Sequence, residues 1–325
     1  MRKIILFLLV LVTAGMLYAA PTKEKTESLK KETTESVKKE TIESLKVGIM
    51  PDADSLPFMV ARDEGLFEAE GVNVELVVFS NPQERDSAIQ SGNVDGSISD
   101  LLAAAFFYIG GFDTKITSLT DGRYGIAASP TSDIQDLTGL AGKQIGLSTN
   151  TIIQYTVDAQ LEKAGVGADN YTPVSVPRMP LRMEMLLAGQ IDAASMPEPL
   201  LTAVVGQGAI LLSTTDTLGI DAGILLFSKK VLDNRLDDVK KFYRAYYKAA
   251  QKINENPDAY RAFLVEKASF PEAVRDAYQF VNYRKPILPE EAQIDQAVEW
   301  LKAKELISTD VTAEDLVDRR ITAEW

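Results

Sequence analysis

Small polar and acidic residues recur at one kind of place in this chain: just past a short apolar run and just ahead of a helix-like segment. Met50-Pro51-Asp52-Ala53-Asp54-Ser55 follows the first such run, Ser80-Asn81-Pro82 the second and Ser99-Asp100 the third. Farther on, Ser148-Thr149-Asn150-Thr151, Arg178-Met179-Pro180 and Pro197-Glu198-Pro199 stand in matching places, and Asp221 precedes one more apolar run. If the runs are strands of open α/β sheets, these residues mark the carboxyl ends, where such sheets hold ligands. The candidate binding residues are therefore Asp52, Ser55, Asn81, Ser99, Asp100, Ser148, Thr149, Asn150, Thr151, Arg178, Glu198 and Asp221. Ser148 to Thr151 and Ser99-Asp100 open helices, whose free N–H groups could hold an anion or a carbonyl. The same residue types cap helices with no ligand involved, and Asp52 and Ser55 carry the same ambiguity. Glu198, fixed between two prolines, could aim its carboxylate at a ligand or stand in a solvated turn. Carboxylates at such positions read N–H donors through charge-assisted hydrogen bonds.

What is missing narrows the chemistry further. The chain has neither cysteine nor histidine. That excludes disulfides, thiol nucleophiles, thiolate or imidazole metal ligands, and Ser-His-Asp or Cys-His machinery. Carboxylates, lysines, tyrosines and bound cofactors remain as catalytic means. A protein that only binds needs none of the missing groups, so neither a cofactor nor a metal is expected.

The elements that would position these residues alternate. Leu45–Met50, Val72–Phe79 and Val94–Ile98 read as strands, with helices over Pro57–Phe67, Gln83–Ser91 and Leu101–Ile109. The pattern then restarts, with strands at Lys143–Leu147, Thr172–Val176 and Ile191–Ser195 and helices at Thr151–Ala164, Leu181–Ala188 and Leu200–Val205. The two halves match most closely in AIQSGNVDGSISD (88–100) and LLAGQIDAASMPEP (186–199). Each runs from a helix end through a glycine turn to an Asp-bearing strand and a polar exit. One more strand lies in GIDAGILLFSKK (219–230). Helices then follow over Val239–Asn254, Tyr260–Lys267, Glu272–Tyr278, Pro289–Lys304 and Ala313–Asp318. Alternating strands and helices predict an α/β fold of mostly parallel sheets covered on both faces.

The run VGIMPDADSLPFMVARDEGLFEAEGVNVEL (47–76) resembles the start of the mature domain in the nitrate/sulfonate/pyrimidine-precursor group of periplasmic solute-binding proteins. SGNVDGSISDLLAA (91–104), GLAGKQIGLSTNTIIQY (139–155), VPRMPLRMEMLLAGQIDAASMPEPL (176–200) and GIDAGILLFS (219–228) are similar to later segments of that group. The resemblance covers residues 46–325. It implies a two-lobed type II fold: lobe one at 46–122 plus 223–325, lobe two at 123–222, joined by two crossing strands that allow closure. It also implies a small-molecule ligand and an ABC permease and ATPase as partners. Ligand classes left open are sulfonate- or nitrate-type anions, pyrimidine-like precursors and amines. Arg178 and Arg182 would then bind an acidic solute or bridge the lobes; Phe58, Tyr124 and Tyr155 would stack on a ligand ring or fill the core. One enzyme type in the group forms a pyrimidine and depends on an active-site histidine, which this chain lacks. A ligand-sensing ectodomain is the other rival.

Composition agrees with an exported binder. The 325 residues are 46% hydrophobic and 25% charged, enough for two buried cores. A formal charge of -13 disfavours nucleic acid as a partner, and a monomer is expected. Arg2 and Lys3, the apolar run Ile4–Val12 and the ending Leu17-Tyr18-Ala19-Ala20 predict a signal peptide over 1–20, cut after Ala19 or Ala20. An uncleaved anchor is the alternative. Without a cysteine no lipid can be attached there. Residues 23–46 are three copies of one octad, KEKTESLK, KETTESVK and KETIESLK, so the segment 21–45 has too few apolar residues to fold alone. They read as a charged linker, or as a solvated tail with no specific role.

Overall fold

The computed structural model describes residues 43–324; the expected signal peptide and the octad segment up to residue 42 lie outside the described residues. Ten strands form two five-stranded sheets. They are β1 (Leu45–Ile49), β2 (Val74–Val78), β3 (Gly96–Asp100), β4 (Thr114–Leu119), β5 (Tyr124–Ala128), β6 (Gln144–Leu147), β7 (Thr172–Ser175), β8 (Ala193–Pro197), β9 (Ile210–Thr214) and β10 (Gly223–Ser228). The first sheet has the order β2-β1-β3-β10-β4 and the second β7-β6-β8-β5-β9. In each, β1 or β6 pairs in parallel with both neighbours. The fourth strand, β10 or β5, runs against the strands beside it. These reversed strands are the ones that follow a passage from sheet to sheet, so the sheets are mixed, with four of five strands aligned.

The helices are α1 (Leu56–Asp63), α2 (Leu66–Ala69), α3 (Pro82–Gln90), α4 (Leu101–Ile109), α5 (Ile152–Lys163), α6 (Met179–Leu187), α7 (Leu200–Val205), α8 (Lys229–Asn234), α9 (Leu236–Glu255), α10 (Arg261–Glu266), α11 (Glu291–Ala303) and α12 (Ala313–Leu316). The sequence predicts one helix over Pro57–Phe67. It divides because Gly65 turns the backbone to φ 67°, which starts α2 afresh. The strand expected at Val94–Ile98 starts two residues later. Its approach is held first, by Asn93 N–H donating to Ala88 O and Asp95 exchanging bonds with the Lys46 backbone. The helix expected at Glu272–Tyr278 shrinks to a single 3-10 turn, Glu272–Val274.

Both faces of each sheet are covered. On the first sheet, α9 buries Val239, Phe242, Tyr243, Tyr246, Ala249, Ala250 and Ile253 along one side, the stripe expected of an amphipathic helix. Phe242 stacks between Phe58 and Phe67 at 5.1 and 5.3 Å. The opposite face packs on α4 and α11 through Leu102, Ala105, Ile294 and Leu301. The second sheet meets α5 on one face and α6 and α7 on the other. Phe58 is thus part of the core, 1% exposed.

Gly96 shows how closely the central strands pack. A Cβ there would fall 2.6 Å from Phe227 Cε1 and 2.7 Å from Leu226 O. Gly96→Ala is expected to destabilise the chain by about 1–3 kcal/mol through overpacking. Urea unfolding followed by circular dichroism would check it; an unchanged midpoint would contradict this packing.

Candidate functional site

The polar exits of the first sheet meet beside the passages between the sheets. Asp52 closes its own turn: its Oδ1 accepts from Ser55 N (3.1 Å) and Ser55 Oγ (2.8 Å), while Ser55 Oγ accepts from Met50 N (3.2 Å). Two residues on, Asp54 is 6% exposed and accepts from the Thr120 hydroxyl. Asp54 occupies the space left by glycines at both passages. A Cβ on Gly122 would lie 2.7 Å from its Cγ, and one on Gly223 3.0 Å from its Oδ1.

Asp100 caps α4 by accepting from Ala103 N (2.9 Å), and its Oδ2 lies 3.7 Å from Arg85 Nη2. Arg85, on α3 and 6% exposed, is held more closely by Asp86 at 2.8 Å. From the second sheet, Tyr124 comes within electrostatic reach of Asp54, Asp52, Asp100 and Arg85. Burial, then proximity to Asp54, pushes the Asp52 carboxyl up to about 8. Burial, with Asp121 adding to it, pushes Asp54 up to about 6. Asp100 is also raised, by burial, against the pull of Arg85. These strand exits therefore gather a group of acids around one guanidinium that Asp86 already pairs.

The other expected residues fall elsewhere or are held by local bonds. Asn81 caps α3 by accepting from Glu84 N (2.9 Å). The hydroxyl of Ser99, 4% exposed, has no hydrogen-bond partner. Ser148 Oγ accepts from Arg182 Nη2 (2.5 Å), Thr149 and Ser175 share a hydroxyl contact at 3.2 Å, and Thr151 caps α5. Asn150 is exposed, has φ 59°, and donates its N–H to Gln154 Oε1. Arg178 is exposed at the start of α6. Both carboxylate oxygens of Glu198 accept from Thr202, at 3.1 and 3.0 Å, with Arg123 at 3.8 Å; burial raises this carboxyl. Asp221 pairs with both terminal nitrogens of Arg284 at 2.9 and 3.1 Å.

One expectation is corrected. Arg182 makes no salt bridge across the sheets. It is fully buried and donates to Val176 O (2.9 Å), Ser195 O (2.7 Å) and Ser148, all within the second half of the fold. The sequence reading missed Arg85, whose place among Gln83, Glu84 and Asp86 reads as a solvated helix face. Only the fold, which turns it toward Met50 and Asp100, reveals its position. Among the described residues no group of three or more acids could hold a metal ion, and no helix is long and apolar enough to cross a membrane.

The profile of the family described as NMT1/THI5 like matches residues 52–260. The chain belongs to this family. The match takes in Asp52, Asp54, Arg85, Asp100 and Tyr124, and it agrees with the resemblance read from the sequence. A Brachyspira hyodysenteriae protein described as an ABC transporter periplasmic binding protein is 23% identical over 231 residues. The match spans 66% of each chain and so leaves about a third of that relative uncovered. Among solved structures, the periplasmic aliphatic sulphonate binding protein SsuA from Escherichia coli superposes with TM-score 0.73 at 15% identity, covering 85% of this chain and 92% of that one. The desulfurization enzyme DSZB shares the fold at TM-score 0.63 and 15% identity, covering 86% and 98%. This chain thus shares its fold with a binding protein and with an enzyme.

Proposed function

We propose that this NMT1/THI5-like chain is the extracytoplasmic solute-binding component of an ABC importer. It captures one small polar molecule between lobe one (46–122 plus 223–325) and lobe two (123–222). The observation that carries this reading is that Asp52, Asp54 and Asp100, at strand exits of the first sheet, come within electrostatic reach of Tyr124 of the second, with Asp54 filling the space beside Gly122 and Gly223 at the two passages. Passages of this kind act as hinges, and the likeness to the Brachyspira hyodysenteriae periplasmic binding protein supports the role. In this reading the chain is a monomer in the periplasm, exported by a cleaved signal peptide, and delivers solute to a permease driven by an ATPase. In this reading it carries out no catalysis, and the strand-exit carboxylates serve as hydrogen-bond acceptors.

Closure gives the test. A thermal-shift screen of amines, pyrimidines, sulfonates and nitrate should find a stabilising compound, because a ligand that binds only the folded state adds to its stability. With that compound at saturation, small-angle scattering should give a smaller radius of gyration than the free protein. An unchanged radius would contradict the clamp, and turnover of the compound would contradict the binding role.

A further inference from the structure

The layers of the two sheets also meet along α5 and α11, and that contact is built around one buried carboxylate. Asp158 of α5 is 1% exposed. Tyr171, just before β7, donates its hydroxyl to Asp158 Oδ1 (2.7 Å). Trp300 of α11 donates its Nε1–H to Asp158 Oδ2 (2.8 Å), and Lys304 Nζ lies 3.2 Å from the same oxygen. The tyrosine bond stays within the second half of the fold. The other two come from a helix that packs on the first sheet.

Apolar packing backs these bonds. Tyr155, one turn before Asp158, is 6% exposed and belongs to the cluster of Leu102, Ala105, Ile294 and Leu301. A ring from the second half thus completes a core of the first. It meets Trp300 edge-on with ring centres 5.8 Å apart, and Lys304 Nζ lies 5.8 Å from the Trp300 ring centre. Ile152 packs against the cores of both halves. The polar bonds are the discriminating part of this contact. Sliding of packed helices is one way in which lobes reorient. Apolar side chains tolerate a small slide, whereas a displacement of about 1 Å takes an N–H···O bond out of range. The contact at Asp158 is therefore either made or broken.

We propose that Asp158, Trp300 and Lys304 form a latch that holds the two lobes at their present angle and releases when the lobes reorient. The inference rests on the lobe division given above and concerns the free protein, with no ligand needed. A solute that binds a different lobe angle best has to break the latch. The strength of the latch then sets how readily binding moves the lobes, since a ligand shifts such an equilibrium only by its differential affinity for the two states.

The absence of cysteine gives a direct test, because two introduced thiols can be labelled without background. Val78 of lobe one is 54% exposed and Leu211 of lobe two 47%. Spin labels on Val78→Cys and Leu211→Cys report the distance between the lobes of the full chain by double electron–electron resonance. With the latch intact, one narrow distance distribution is expected. Adding Trp300→Phe and Lys304→Met removes both lobe-one donors and keeps an aromatic ring against Tyr155. The distribution should then broaden and extend to longer distances. Lys302→Met is the control: it lies on the same helix, pairs with Asp310 within lobe one, and should change nothing. Where the double change prevents folding, Lys304→Met alone serves, since that side chain is 24% exposed. A distribution unchanged by loss of the donors, even with a lower melting temperature, would make the contact a plain packing interface and overturn the latch. A broad distribution with the latch intact, or equal broadening from Lys302→Met, would overturn it as well. None of these outcomes bears on the binding role, which the thermal-shift screen tests separately.

Discussion

Arg182→Ala is expected to destabilise the protein by about 3–5 kcal/mol. The side chain is fully buried in the second half of the fold, between α6 and β8. It satisfies two backbone carbonyls and a hydroxyl from three segments: Val176 O after β7, Ser195 O in β8 and Ser148 Oγ after β6. Truncation leaves those acceptors facing a cavity. An unsatisfied buried group costs about 1–3 kcal/mol, and a cavity the size of a long side chain adds a similar amount. The guanidinium has no carboxylate partner in these bonds, and burial lowers its pKa to about 10. Some of the gain is therefore offset by desolvation of the charge. Even so, loss of three directed bonds outweighs that relief. Urea denaturation at pH 7 should show a clear drop in midpoint. A change below about 1 kcal/mol would mean that water or neighbouring groups satisfy the same acceptors. Arg182→Lys separates charge from geometry: one ammonium cannot span all three acceptors, so it should restore only part of the loss.

The architecture was legible in the sequence because it is written twice. The phrases around Gly96–Asp100 and Ala193–Pro197 match in type, and their strands take the same third place in the two sheets, each beside the reversed strand. Helix periodicity marked α9 and α11, since their apolar stripes are long. By contrast, β9 (Ile210–Thr214) was not read. It is five residues with no helix after it, and it gains strand character only by pairing with β5. The candidate site was less legible for the same kind of reason. Cap and contact use the same residue types, and sequence cannot tell which bond a carboxylate spends. Asn81, Asp100 and Thr151 all cap helices, yet Asp100 also faces Arg85. Glu198 looked aimed by its prolines; both of its oxygens go to Thr202, four residues on. Arg85 became visible only in three dimensions, because a charge on a helix looks solvated until the opposite wall is known; Arg182 was singled out in the sequence but given the wrong partners, since the two carbonyls and the hydroxyl that it meets come together only in the fold.

Raising the pH from 5 to 8 is expected to destabilise the ligand-free protein. Burial, the largest cause, raises Asp52 to about 8 and Asp54 to about 6 from an ordinary 3.8, and it raises Asp100 and Glu198 as well. Above pH 4 the unfolded chain has lost these protons while the folded chain still holds them. Stability falls with pH wherever the native state binds more protons. The contribution is therefore complete below pH 3.8 and is lost as the pH rises toward about 6 for Asp54 and about 8 for Asp52. Asp54 alone accounts for roughly 3 kcal/mol, since one pKa unit corresponds to about 1.4 kcal/mol. Groups shifted the other way do not cancel this. Asp136, Asp216, Asp233 and Asp318 are lowered by local hydrogen bonds and ion pairs, so their effect falls below pH 3.8, outside the window. Scanning calorimetry between pH 5 and 8 should show a falling melting temperature. The Asp52→Asn, Asp54→Asn double variant, neutral at both positions, should flatten the slope and exceed the parent in stability at pH 8. If the double variant retains the parent's slope, the acids that titrate in this window lie elsewhere in the fold, and these strand exits are not where burial stores the cost.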